Sequence, residues 1–147
     1  MSARRSQMKA LLKALMQDRS GATIVEFAIL APIFFTFLFG TIEGSRLMWV
    51  QQTLETVAYS TSRCASVSDD CATSATQQSY AVARAAGFGI TIASSDVVAQ
   101  ANVTCGGFPA SNRVAITTSF NSVLGGLVPV FPDTLTAESC YPVLAAA

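Results

Sequence analysis

Two groups of side chains in this chain of 147 residues could do chemistry: one carboxylate inside an apolar run, and four cysteines. Glu26 stands four residues beyond Ala22 in ATIVEFAILAPIFFTFLFGTI, the segment from 22 to 42. An ionised carboxylate at bilayer depth costs roughly 2.5–3.5 kcal/mol or more, so it snorkels to the interface, takes up a proton or meets a positive charge. The cysteines, Cys64, Cys71, Cys105 and Cys140, are even in number and show no CxxC spacing. Because the chain has no histidine, a zinc site would have to gather all four thiolates from distant positions. The same lack leaves no Cys-His or Ser-His pair for nucleophilic catalysis. Asp69 and Asp70, adjacent carboxylates in a serine-rich turn, read as caps. These residue types speak against an enzyme.

Which chemistry the cysteines adopt depends on their compartment, and the charge pattern assigns it. The first 20 residues hold Arg4, Arg5, Lys9, Lys13 and Arg19 against one acid, Asp18, a net +4. The rest holds four arginines against eight acids, a net −4 that cancels it. Cations beside a span stay in the cytoplasm, which puts the N-terminus inside and the rest of the chain outside. All four cysteines then face an oxidising compartment and are expected as disulfides. The segment from Ala22 to Ile42 has 21 residues, about 31 Å as a helix and enough for one bilayer crossing. It raises the mean hydropathy to +0.46. A secretory signal would have a shorter apolar core, about 7–15 residues, ending at a small-residue cleavage site. No basic face suggests nucleic acid, and no pattern points to a metal, a cofactor or a small-molecule substrate.

The elements that position these groups follow from periodicity. Past Ile42, Leu47, Val50, Leu54, Val57 and Ala58 recur at steps of three and four, with Gln51, Gln52, Glu55 and Thr56 off the stripe. One helix of about 40 residues is therefore predicted, its outer half amphipathic and stopping near Ser66. A second helix is predicted over Thr73 to Ala86, ending near Gly87 and Gly89. The period then changes to two. Val97, Ala99, Ala101, Val103 and Cys105 alternate with polar residues, Val114 to Phe120 alternates likewise, and Leu135 to Tyr141 forms a shorter third strand. Gly106 and Gly107, with Pro109, supply the first turn. VLGGLVPVFPD lies between the second and third strands, and its part from Val123 to Phe131 is a candidate contact surface. Four cysteines allow three connectivities. Cys64 with Cys71 would close a short turn and leave Cys105 with Cys140. The parity of Cys105 with the apolar face of its strand then demands a bulge or another pairing.

The string Gly21-Ala22-Thr23-Ile24-Val25-Glu26-Phe27, after a basic leader and at the start of an apolar helix, resembles the processing site of type IV prepilin-like proteins. Continuing through EFAILAPIFFTFLFGTIEGSR, with Pro32 in the span and Gly40, Glu43 and Gly44 at its outer end, the chain resembles the TadE-like pseudopilins of tight-adherence (Flp) pilus systems. The resemblance covers about Arg19 to Arg63. It implies cleavage after Gly21 by a prepilin peptidase, for which a residue without Cβ lets the backbone come close. Ala22 would become the new N-terminus and Glu26 the fifth residue of the mature chain. The α-amino group of Ala22 on one subunit could then neutralise Glu26 of a neighbour, setting the axial register of assembly. Phe27 flanks that charge, and Pro32 would kink or loosen the helix.

The fold so expected is α+β and type IV pilin-like. A basic cytoplasmic leader (1–21) precedes a transmembrane helix (22–42), and residues 43–147 form the helix extension and a head of one helix and about three antiparallel strands. The resemblance implies a minor pilin or pseudopilin that assembles or initiates a tight-adherence pilus. It would sit in a bacterial inner membrane with its head periplasmic, partnered by the peptidase, other pilins and assembly components, and could enter an extracellular pilus. The alternative is an anchored extracytoplasmic binding or adhesion domain that never polymerises.

Overall fold

The computed structural model describes residues 20–124 and 131–143. The basic leader up to Arg19, and residues 125–130 of the apolar loop, lie outside the described residues. In chain order the elements are α1 (Ser20–Val67), α2 (Ser74–Gly87), β1 (Val97–Cys105), β2 (Phe108–Ser119) and β3 (Thr134–Pro142), with 3-10 turns at Asp69–Cys71 and Ser94–Asp96. A long N-terminal apolar helix, a second helix and a three-stranded antiparallel sheet make an α+β, pilin-like layout. The chain divides into two compact units, Met1–Thr41 and Ile42–Ala147, and α1 contributes to both.

Within the first unit α1 stays helical through Pro32. Proline has no N–H to give, so the carbonyl four residues earlier loses its intrahelical partner there. Thr36 Oγ1 donates to the Pro32 carbonyl at 2.7 Å, and Thr41 Oγ1 donates to Phe37 O at 2.8 Å. These hydroxyls keep their polarity inside the helix, the way Ser and Thr are accommodated on apolar helices.

In the second unit the stripe read from the sequence becomes the core. Leu54, Val57 and Ala58 are fully buried against Ala81 and Ala85 of α2 and against Val97, Val114, Ile116, Leu135 and Ala137 of the sheet, with Leu47 and Val50 packed at the margin. Gln52 and Glu55 stay wet. The helix is also tied to the sheet by hydrogen bonds. Gln51 Nε2 donates to Thr136 O at 3.1 Å, Ser66 Oγ to Tyr141 O at 3.2 Å, and Asn112 Nδ2 to Ala65 O at 2.9 Å. Thr61, fully buried, satisfies its hydroxyl on Val57 O at 2.7 Å.

The helix ends where capping chemistry begins. Ser68 Oγ accepts from Asp70 N–H at 3.3 Å and opens the 3-10 turn that carries Asp69 and Asp70. Thr73 then caps α2 in a reciprocal box with Thr76, at 3.2 and 3.1 Å. The first cysteine of one disulfide, Cys64, lies in the last turn of α1, and its partner, Cys71, ends the 3-10 turn, 5.7 Å away between Cα atoms.

The sheet is a simple meander of order β1-β2-β3. Gly106 and Gly107, with φ of 60° and 85°, form the two-residue turn between Cys105 and Phe108. Left-handed φ at both central positions matches the twist of paired strands and favours glycine. Strand β2 begins at Phe108, six residues before the alternation read from the sequence, and Pro109 is inside the strand rather than in the turn.

The strand parity also differs from the simple alternation. Gln100 faces Arg113 but Val103 faces Ser111, so β1 holds one extra residue there. Asn102, with φ of 54°, lies in that bulge. Beyond it Val103 and Cys105 share the face of Arg113 rather than that of Val97, because one inserted residue inverts the alternation. Cys105 thus reaches the face on which Cys140 stands opposite Arg113. The second disulfide joins these two, with Cα atoms 6.0 Å apart.

Candidate functional site

The first unit presents the residues expected for processing and assembly on a bare helix. Gly21 is in the first turn of α1, and a Cβ built on it would meet nothing within 4 Å. Glu26 is exposed. Residues 20–41 contain no Lys or Arg, so a positive partner for this carboxylate has to come from outside that stretch. Phe27 is 68 % exposed and Phe37 77 %. Isoleucines, leucines and phenylalanines are exposed on every side of this part of α1, and the 18-residue window of highest hydropathy has no share buried by its own chain. A helix apolar all round has to be covered by lipid or by other helices. By length and composition it can cross a membrane.

The cysteines lie in the second unit. Cys105 and Cys140 share their face with Glu138, and ligand atoms of the three lie within 4.8 Å of one another. That cluster is chemically unsuited to a metal as it stands. Its sulfurs are bonded to each other, whereas a metal takes thiolates. Its carboxylate is held by Arg113, whose Nε donates to Oε1 at 2.7 Å and Nη2 to Oε2 at 2.6 Å. Arg113 Nη1 also donates to Gln100 Oε1 at 3.0 Å, so one guanidinium on β2 ties both outer strands. The Arg113 fork, opposed only partly by withdrawal from water, holds the Glu138 carboxyl below its ordinary pKa.

A second polar cluster stands at the start of the second unit. Glu43 is 5 % exposed. Its Oε1 accepts from Arg46 Nη1 at 2.9 Å and from Val123 N–H at 3.1 Å. Arg46 Nη1 also donates to Asn121 O at 3.1 Å, and its guanidinium lies 4.8 Å from the Phe120 ring centroid. Glu43 and Arg46 thereby fix the chain after β2 to α1. From the sequence alone Glu43 stands only at the end of the span and Arg46 has no assigned partner. Their i, i+3 spacing was the available signal, since that spacing brings two side chains together on a helix.

Residues 21–63 match the TadE-like protein family. The TadE-like segment begins at the glycine that opens α1 and takes in Glu26, Pro32, the Glu43–Arg46 pair and the stripe of Leu54, Val57 and Ala58. It stops one residue before Cys64, so both disulfides, α2 and the sheet lie beyond it. No match was found among curated proteins or among solved structures.

Proposed function

We propose that this chain is a minor pilin or pseudopilin that assembles or initiates a tight-adherence (Flp-type) pilus, and that a prepilin peptidase cuts it after Gly21. The observation that carries this reading is the TadE-like match starting at Gly21 on a helix whose first part, residues 20–41, is apolar all round and holds one carboxylate and no Lys or Arg. Cleavage would leave an α-amino group on Ala22, and two opposite charges withdrawn from water gain by meeting. When cleaved helices stack with an axial offset, Glu26 of one subunit neutralises the Ala22 amine of the next. The carboxylate then selects a register, while Phe27 and the surrounding apolar residues supply the contact.

The partners in this reading are the inner membrane, the peptidase and other pilus subunits, and the head projects into the periplasm or outward with a pilus. Main filament subunits of Flp systems are much shorter, which favours a minor role for a chain that adds about a hundred residues after the span. Glu26→Ala should still be cut but should fail to support piliation, scored by electron microscopy of surface pili. Gly21→Leu should leave the full-length protein on an immunoblot. Normal pili from the Glu26→Ala strain would remove the register argument and favour the anchored, non-polymerising domain.

A further inference from the structure

The second unit begins with a band of α1 whose exposed side chains differ from those further along the helix. Ile42 is 56 % exposed, Met48 73 % and Trp49 57 %. Val123, held beside the same turns by the Glu43 carboxylate, is 84 % exposed. Ile42 and Trp49 are seven residues apart and project from nearly the same side of the helix, while Met48 lies well round from them. The apolar exposure is therefore a collar rather than one face. After Val50 the pattern changes: Gln51, Gln52 and Glu55 line α1, and its remaining large apolar residues on the surface are Tyr59 and Val67.

The charged groups within the collar are already partnered. Glu43 is neutralised by Arg46 and bonded to the Val123 N–H. That arrangement lets a carboxylate sit next to hydrocarbon without the cost of an isolated charge. Trp49 lies about 10 Å along the helix from Ile42 at 1.5 Å per residue, against a headgroup region of about 5–7 Å on one side of a bilayer, so the collar reaches from the end of the acyl chains across the headgroups. Tryptophan suits that layer, because its ring is apolar and its indole N–H needs a wet partner.

We propose that Ile42, Met48, Trp49 and Val123 form a lipid-binding collar that seats the second unit in the headgroup and upper acyl layer of the outer membrane leaflet. The occupant is the phospholipid interface itself, argued from continuity of the collar with the apolar run that ends at Ile42. The proposal rests on the reading of α1 as a membrane anchor. It adds that the Glu43–Arg46 pair holds the start of the loop after β2 at the level of the lipid headgroups.

Trp49 is the only tryptophan in the chain, so the intact protein carries its own probe. Full-length protein would be reconstituted into phosphatidylcholine vesicles brominated either near the head of the acyl chain or near its terminal methyl. Trp49 emission should fall by roughly half with the shallow bromines and much less with the deep ones, as expected for an interfacial indole. A second chain, Phe34→Trp in a Trp49→Phe background, reports on the span and should be quenched best by the deep bromines. If the tryptophan at 34 is quenched and Trp49 is untouched by either lipid, the collar is wrong and the anchor stands. Deep bromines quenching Trp49 more strongly than shallow ones would also overturn the collar. If neither tryptophan is quenched, the anchor reading fails and takes the collar with it.

Discussion

Asn102 sets which face of the sheet Cys105 occupies. Its φ of 54° places the extra residue of the β1 bulge, and an asparagine tolerates that left-handed conformation where a β-branched residue does not. Asn102→Gly should leave head stability nearly unchanged, whereas Asn102→Ile should cost about 1–2 kcal/mol in urea unfolding. Equal midpoints for the two variants would show that the bulge does not depend on that φ. The Arg113–Glu138 fork carries the pH dependence. Because Arg113 lowers the folded-state pKa of Glu138, its contribution is fully present above the ordinary carboxylate range. It is lost as pH falls through the lowered folded value. Melting temperature should thus decline on acidification more steeply in the wild type than in Glu138→Gln, by a small amount because both side chains are more than a third exposed. Parallel profiles would contradict the assignment.

At the scale of elements, the outer half of α1 forms one wall of the core. Leu54 is fully buried, so Leu54→Ala should destabilise the head by about 2–5 kcal/mol, while Met48→Ala, on the exposed collar, should stay within about 0.5 kcal/mol. Chemical denaturation of the detergent-solubilised protein checks both. That wall was legible in the sequence because steps of three and four need only a periodic stripe to be seen. The limits of β1 and, to within one residue at each end, those of α2 and β3 were legible for similar local reasons, although Thr73, expected as the first helical residue, is the cap of α2 and Asp69 and Asp70 do not cap it. The bulge was not, because it depends on the conformation of Asn102 and on pairing with a distant strand, neither of which changes the apolar alternation. The first half of β2 was obscured by Pro109, which reads as a turn residue but is accommodated at a strand start. The Glu43 site was missed because half of its partners come from residues 121–123, far away in sequence. At the candidate site, Glu26 stands out by residue type and position alone, whereas Gly21 and Pro32 are singled out through the resemblance of the segment around them. The roles proposed for them involve other chains, which no single-chain pattern encodes.

The whole molecule divides into an apolar helical segment, whose most apolar 18-residue window has no share buried by the described chain, and a small disulfide-bonded head. Two bridges suit a head this small, since each can contribute about 2–4 kcal/mol by restricting the unfolded chain. In the proposed reading the charge asymmetry of the sequence would set the orientation, and processing after Gly21 would convert an anchored precursor into a subunit able to pair charges with its neighbours. Everything in the assembly reading depends on that cut. The most direct test is the N-terminal sequence of the protein extracted from membranes of cells with and without the candidate prepilin peptidase. The account predicts a chain starting at Ala22 only where the peptidase is present, and a start within the leader, at Met1 or Ser2, where it is absent. The same unprocessed start in both strains would contradict it and leave an anchored domain that keeps its leader.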